Sequence, residues 1–344
     1  GSWLVAWEDW SRRVRDRSLM DWLDAPASPG KFWLRLLAAG GLLAMAVLLL
    51  AHLWGDQPYG LDLVVQWTGL QVIFWLLVAA GLATWQHRRL TAVVPAAVAV
   101  AVMGLSLPAY WPDAGPRPAG ESVAFGMVIY NAGVTNPAED AELVRWIGER
   151  RPELVLISEA PYGMDWQVFR EMGYEVQQRY RAVCLSLTPV EPITPPDQRR
   201  IRYYRVDLGG EAPLHLAQVH LLSPRTPELW EQQLRQVDRL TKFAREAAEL
   251  GRPTVVAGDF NSTPLGRGYA RFERRSGLRN VGHAPWRGGT WPSWMPTMLS
   301  IPIDHVWASG EIAAAHHEVG PACESDHRPV YVAMAVPGEM IRPE

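Results

Sequence analysis

Val255–Pro264 reads VVAGDFNSTP, an apolar run that breaks at Gly258 and is followed at once by Asp259, Phe260 and Asn261. Side chains in a strand alternate between faces, and the residues just past its end project from the rim of a sheet. A carboxylate and an amide at that place are chemistry delivered by a strand. Two later strings repeat the pattern: IDHVWAS at Ile303–Ser309 and ESDHRPVYVAM at Glu324–Met334. They set Asp304, Asp326 and His327 against apolar runs in the same way. His305 follows Asp304 directly and is expected on the opposite face of its strand.

Working outward, the chain between Gly120 and Asp259 predicts strands and helices in alternation. Strands are expected over Ser122–Asn131, Glu153–Glu159, Tyr174–Tyr180, Ala182–Leu187, Ile201–Leu208 and Leu214–Leu222, with a hairpin turn at Gly209-Gly210. A helix is expected to open at Asn136-Pro137, with Asn136 as cap and Glu139 placed for a capping box, and to run to about Arg151. A longer amphipathic helix is expected over Pro227–Leu250, stopped by Gly251 and Pro253. Asn131, Glu159, His220, Asp259, Asn261, Asp304, Asp326 and His327 are all expected at or just past the C-terminal end of an apolar run. One such residue would be an ordinary loop polar group. Eight, all able to bind metal or move protons, imply a shared rim.

These strings resemble the endonuclease/exonuclease/phosphatase superfamily, which includes DNase I-like nucleases, inositol polyphosphate 5-phosphatases and neutral sphingomyelinases. The matching residues are IYN (Ile129–Asn131), LISEA (Leu156–Ala160), QVHLLSP (Gln218–Pro224), GDFNSTP (Gly258–Pro264), IDH (Ile303–His305) and SDHRPV (Ser325–Val330), in the family's order over about Ser122–Pro337. The chain departs from the pattern at Ser158, where Gln is commoner, and in AVCLSLTP, which lacks an Arg often found after its Ser. The resemblance implies an α/β fold: a four-layer sandwich, two mixed sheets packed face to face with helices outside. It also implies a phosphoester hydrolase using Mg²⁺, with Mn²⁺ or Ca²⁺ as alternatives.

Chemistry and resemblance agree on roles. Glu159 is the expected direct ligand of a hard cation, with Asn131 and Asp326 in support. Asp259 is expected to orient or deprotonate the attacking water, and Asn261 to donate to the phosphoryl oxygens. His327 is expected to contact the phosphate, with Asp304 fixing its tautomer, and His220 to stabilise the leaving group or phosphate. Arg199, Arg200, Arg202 and Arg205 read as a solvated strand face, with attraction of anionic lipid headgroups as the alternative. His316 and His317 read as surface residues. Trp291, Trp294, Met295, Met298 and Leu299, in a Gly/Pro-rich loop before Asp304, are either edge packing or an apolar lip beside the metal. Cys184 and Cys323 match no zinc or redox spacing and read as separate thiols.

Composition divides the chain. Ten of its 17 tryptophans precede position 112, and Lys31–Trp111 is mostly Leu, Ala, Val, Gly and Trp. Trp33–Trp54, Leu61–Trp85 and Thr91–Tyr110 each approach or exceed the roughly 20 residues that cross a bilayer. Arginines cluster before the first stretch and at Arg88-Arg89, which predicts a cytoplasmic N-terminus and an extracytoplasmic C-terminal domain. The domains expected are an interfacial amphipathic helix over 1–30, three transmembrane helices over 31–111, a Pro/Gly linker over 112–121 and a catalytic domain over 122–344. A net charge of −3 gives no sign of a nucleic-acid partner. The leading expectation is a membrane-anchored, metal-dependent phosphoesterase, of the diesterase kind, acting on a lipid-linked or phospholipid phosphate outside the cytoplasmic membrane. Membrane lipids and that substrate are its expected partners. The alternatives are an anchored extracytoplasmic nuclease and a non-enzymatic binding protein on a borrowed fold.

Overall fold

The computed structural model describes residues 40, 43, 46–47, 58–68, 71–74, 76–78, 89–110, 122–193, 199–210, 212–282 and 288–337. The chain forms two compact units, one of Gly1–Ala46 with Phe74–Ala99 and one of Val47–Ile73 with Val100–Glu344. The larger unit contains two six-stranded sheets. The first has the order β11-β12-β1-β2-β4-β3 and the second β5-β6-β7-β8-β10-β9. Their strands are β1 Ser122–Asn131, β2 Leu154–Ser158, β3 Glu175–Arg179, β4 Ala182–Ser186, β5 Val190–Pro192, β6 Ile201–Val206, β7 Leu214–His220, β8 Thr254–Asp259, β9 Arg279–Asn280, β10 Asp304–Ala308, β11 Ala313–Val319 and β12 Val330–Pro337.

Period-two alternation explains why these runs are apolar on both faces. In β1, Phe125, Met127 and Ile129 pack between the sheets against Leu216, Val255 and Val306, while Val128 and Tyr130 face outward. That outward layer is closed by α3 (Ala141–Arg150) and α4 (Gln167–Glu171), through Leu143, Trp146, Ile147 and Phe169. On the other side Val219, Val256 and Trp307 meet α5 (Pro227–Glu249) and α6 (Arg267–Ser276), through Val237, Leu240, Tyr269 and Phe272. Two sheets with flanking helices form the α/β sandwich expected from the sequence. Gly258 has φ +136°, and a Cβ there would collide with the Val219 carbonyl oxygen, so only glycine lets β8 approach β7 this closely.

Most predicted boundaries fall within a residue or two, and one helix start does not. Asn136 caps only a turn, accepting from Ala138 N at 3.1 Å. The α3 helix begins later, where the Asp140 carboxylate accepts from Leu143 N at 3.0 Å. An Asn-Pro pair sufficed for a turn, and a second capping acid four residues on took the helix.

The expected interfacial helix (1–30), the linker and most of Trp33–Trp54 lie outside the described residues. Among the described residues, no helix is long and apolar enough to cross a membrane. Leu61–Trp85, predicted as one span, starts instead as the seven-residue α1 (Tyr59–Val65), followed by a turn at Gln66 and Trp67. Its one acid explains the difference. Asp62 is buried in the larger unit, where its carboxylate accepts from Trp230 Nε1 at 2.7 Å and from Arg267 N at 2.6 Å. Part of Thr91–Tyr110 is the helix α2 (Arg89–Ser106), continued by a 3₁₀ turn over Leu107–Tyr110.

Candidate active site

Strand pairing builds the site. The parallel pair β7/β8 sets His220 beside Asp259, and the antiparallel pair β8/β10 sets Asp304 opposite Asp259. In the other sheet β1 ends at Asn131 beside Ser158, the last residue of β2, which puts Glu159 at the same edge. His327 and Asp326 arrive on the loop that leads into β12. Neither sheet could supply the group alone.

At the centre is Asp259, buried to 2% exposure. Its carboxylate accepts from Asn261 N at 2.7 Å, Asn131 Nδ2 at 2.9 Å and Asn261 Nδ2 at 3.1 Å. Two imidazole nitrogens face it, His220 Nε2 and His327 Nε2, each 3.9 Å away. Burial and the neighbouring Asp304 charge raise its pKa, against the pull of the two histidines and Asn261. A carboxylate so placed gains from any added positive charge.

His327 is held at its far side by Asp304, with Nδ1 and Oδ2 separated by 2.9 Å. Burial opposes protonation of this ring. The Asp304 carboxylate, helped by Asp259 and Asp326, outweighs it and raises the pKa to about 9. Asp304 is held ionised by the same contact, with the His327 charge overcoming its burial. His327 therefore carries a proton at neutral pH, and its Nε2 is turned to the centre.

Glu159 Oε1 lies 3.0 Å from His220 Nε2, and that hydrogen bond lowers the Glu159 pKa despite partial burial. Arg200 Nη1 stands 3.3 Å from His220 Nδ1. Since guanidinium can only donate, Nδ1 accepts and the proton of the neutral ring sits on Nε2, which donates to Glu159. Asp326 is exposed, and its Oδ2 accepts from Trp291 Nε1 at 2.8 Å. Glu159 (φ +57°) and Asn261 (φ +48°) both adopt the left-handed region without being glycine. Such backbone costs about 1 kcal/mol or more per residue and persists where the surroundings enforce it.

All eight rim residues expected from the sequence are thus gathered around one opening. A cavity of about 650 Å³ is lined by Asn131, Glu159, His220, Asp259, Asn261 and His327, together with Asp326; Asp304 stands behind His327. Asn261 Nδ2 donates to Leu221 O at 3.0 Å as well as to Asp259, so its amide helps to fix Asp259 in this structure. His305 is buried on the other side of β10, with Nε2 2.7 Å from Ser262 O, and burial lowers its pKa to about 4.

Asp259, Asp304 and His327 bring one ligand atom each to within 4.8 Å of one another, and such a group could hold a metal ion. The wider donor set is carboxylate, amide and imidazole. It contains no thiolate, since Cys184 is buried in the core away from the rim and Cys323 packs behind β1. That chemistry suits a hard divalent cation.

Sequence reasoning missed several lining residues. Arg200 was read as part of a solvated face, yet it reaches His220. Arg202 in that group is buried to 2% and stacks over Tyr180, so the expectation of a solvated face fails there, while Arg205 is exposed and pairs with Glu191 at 3.3 Å. His317 is likewise buried, and only His316 is at the surface. Leu63, Gln66 and Trp67, from the stretch read as a membrane span, line the cavity. A hydrophobic run gives no local signal that part of it will face an active site.

The chain is similar in fold to an endonuclease/exonuclease/phosphatase from Beutenbergia cavernae DSM 12333, at 17% identity and a TM-score of 0.47 over 62% of this chain and 72% of that one. An AP endonuclease from Archaeoglobus fulgidus aligns at 15% identity and 0.47, over 60% of this chain and 98% of that one. A mannosyl-6-phosphatase from Bacteroides thetaiotaomicron aligns at 15% and 0.43, over 61% and 99%. No functionally curated protein matches the chain. The model of the Endonuclease/Exonuclease/phosphatase family, whose members are hydrolases acting on phosphoester bonds, matches residues 128–327, and the chain belongs to that family.

Proposed function

We propose that the protein is a Mg²⁺-dependent phosphodiesterase that hydrolyses a lipid-linked or phospholipid phosphate ester at the outer face of a membrane. The observation that carries the chemistry is the His327–Asp304 pair at 2.9 Å, with the other ring nitrogen, Nε2, 3.5 Å from Asn131 Nδ2 and 3.9 Å from the buried Asp259 at the cavity. In this reading Asp259, fixed by Asn261 and Asn131, orients the attacking water and takes its proton. His327, kept charged by Asp304, donates from Nε2 to a phosphoryl oxygen as negative charge grows there. His220, tied to Glu159 and Arg200, faces the leaving group. Glu159, with Asn131 and Asp326, would hold the cation. When bound, that ion supplies Lewis-acid polarisation of the phosphoryl group.

The lipid part of the reading is supported by exposed apolar side chains in the loop that carries Trp291. Trp294 is 74% and Met298 79% exposed. Side chains that pack a sandwich edge would be covered, and large exposed apolar residues near an active site suit a lipid surface. Replacing both, as Trp294→Ala with Met298→Ala, is expected to lower hydrolysis of a lipid-linked phosphate in bilayers about tenfold or more, since each apolar side chain buried in lipid contributes on the order of 1.5–3 kcal/mol. Hydrolysis of bis-p-nitrophenyl phosphate should stay within about twofold. Equal losses on both substrates would return the anchored nuclease to contention.

Membrane placement rests on the sequence of the N-terminal third, with arginines before the first apolar stretch and between the second and third. A reporter active only outside the cytoplasm, fused after Glu344, is expected to be active in cells. Activity of a cytoplasmic reporter alone at that position would sink the assignment.

A further inference from the structure

The segment Pro58–Thr68 precedes the family-matched residues 128–327, yet it is bolted to the active-site loop. Three contacts hold it. Asp62 accepts from Arg267 N, the first N–H of α6, whose own cap position is Gly266 and has no side chain to offer. The same carboxylate takes the Trp230 indole N–H from α5. One turn on, Gln66 Oε1 accepts from Thr263 N at 3.3 Å, inside the GDFNSTP string itself. The α1 helix thus supplies a helix cap that α6 lacks and pins the loop that carries Asp259 and Asn261.

So fixed, α1 and the turn after it present Leu63, Gln66 and Trp67 to the cavity. Trp67 meets Trp291 edge-on, with ring centroids 5.6 Å apart and planes at 62°. Trp291 in turn donates to Asp326, next to His327. Leu63 and Trp67 are only half-buried, and Trp291 and Ile301 continue the same apolar surface toward the catalytic residues. The charged groups of the lining are Arg200, Arg225, Glu159, Asp259 and His327, with Asp326 beside Trp291. A phosphate held at Asp259 and His327 would therefore have one side wall that is mainly apolar, with the Gln66 amide and Asp326 at its margins.

We propose that Leu63 and Trp67 form the apolar wall of the substrate site and select a phosphoester that carries an alkyl or isoprenoid chain. This rests on the phosphoesterase reading above and deepens it. The chain lies against Leu63, Trp67 and Trp291 while the phosphate stays at the polar end. Specificity is thus set by a segment outside the catalytic sandwich, which Asp62 and Gln66 hold in register with the active-site loop.

The test is a series of p-nitrophenyl alkyl phosphates from methyl to octyl, hydrolysed by the intact chain with Mg²⁺. In the wild type, kcat/KM is expected to rise by up to about fourfold for each methylene that the wall buries. Trp67→Ala should flatten that rise, lowering the octyl ester about tenfold or more and the methyl ester less than about twofold. Leu63→Ser, which leaves the Trp67–Trp291 pair in place, should flatten it less, and provides the reading if Trp67→Ala does not fold. A wild type indifferent to chain length, or variants that lose the same factor on every ester, would overturn the wall. Absence of hydrolysis across the whole series would count against the phosphoesterase reading instead. The wall is then read by titration with alkyl phosphates of the same lengths, where affinity must still grow with chain length in the wild type and not in the variants.

Discussion

Asp259→Asn is expected to lower turnover by at least about a hundredfold while leaving the fold intact. The substitution keeps size and shape but removes the oxygen that can take a proton from water, and general-base contributions are of the order 10²–10⁴. The introduced amide would also bring a donor to a site already crowded with donors, since Asn131 Nδ2, Asn261 N and Asn261 Nδ2 all point at this carboxylate. Loss of one of those hydrogen bonds disturbs position, and a small misplacement of water costs further rate. Stability should change little, because the burial and Asp304 charge that raise the Asp259 pKa make the native carboxylate a strained group already. The measurements are single-substrate turnover with bis-p-nitrophenyl phosphate and a thermal melt. Near wild-type turnover would remove Asp259 from the centre of the reaction, and a large drop in melting temperature would mean that the loss is structural.

Legibility of the site in the sequence followed the distance over which each residue is positioned. Asn131, His220 and Asp259 end their strands as expected, whereas Asp304 opens β10 and Asp326 and His327 precede β12; antiparallel pairing brings those strand starts to the same edge, with His220 beside Asp259 and Asp304 across from it. Alternation also separated Asp304 from His305, which the structure buries against Phe260 and Tyr269. What could not be read is whatever depends on contacts between distant segments. Nothing local tells Arg200 from Arg205, although one meets a catalytic histidine and the other a surface glutamate. The hold on the Asn261 amide likewise depends on the Leu221 carbonyl, which takes one of its hydrogens.

In the apolar N-terminal third the described start of Leu61–Trp85 differs from the expectation, for a physical reason. Hydropathy averages over a window, and Leu61–Trp85 is apolar enough on average to read as one span. A single acid inside it carries the opposite information: Asp62 would be costly in hydrocarbon and is fully satisfied by Trp230 and Arg267. The first turns of that stretch therefore belong with the active-site loop.

Chelation is the second large effect. EDTA is expected to abolish hydrolysis, and Mg²⁺ or Mn²⁺ to restore it. Asp259 and Asp304 face each other across one strand pair with a single buried imidazolium to balance them, and Glu159 adds a third carboxylate to the same edge. Added positive charge favours ionised carboxylates grouped in this way, and oxygen donors suit a hard cation. Where the ion sits can be tested by separating affinity from rate. If Glu159 is its carboxylate, Glu159→Gln should raise the metal concentration for half-maximal activity about tenfold or more, the scale on which altered ligation weakens metal sites. Asp304→Asn should instead lower turnover at saturating metal, because the His327 tautomer and charge depend on it, and leave the metal requirement nearly unchanged. The reverse pattern would move the ion to the buried group of Asp259, Asp304 and His327. That outcome would also alter the role of His327, since a ring that binds a cation cannot at the same time carry the proton that makes it a donor to phosphate. Full turnover in EDTA would exclude both placements and leave Asp259 and the charged His327 to carry the reaction between them.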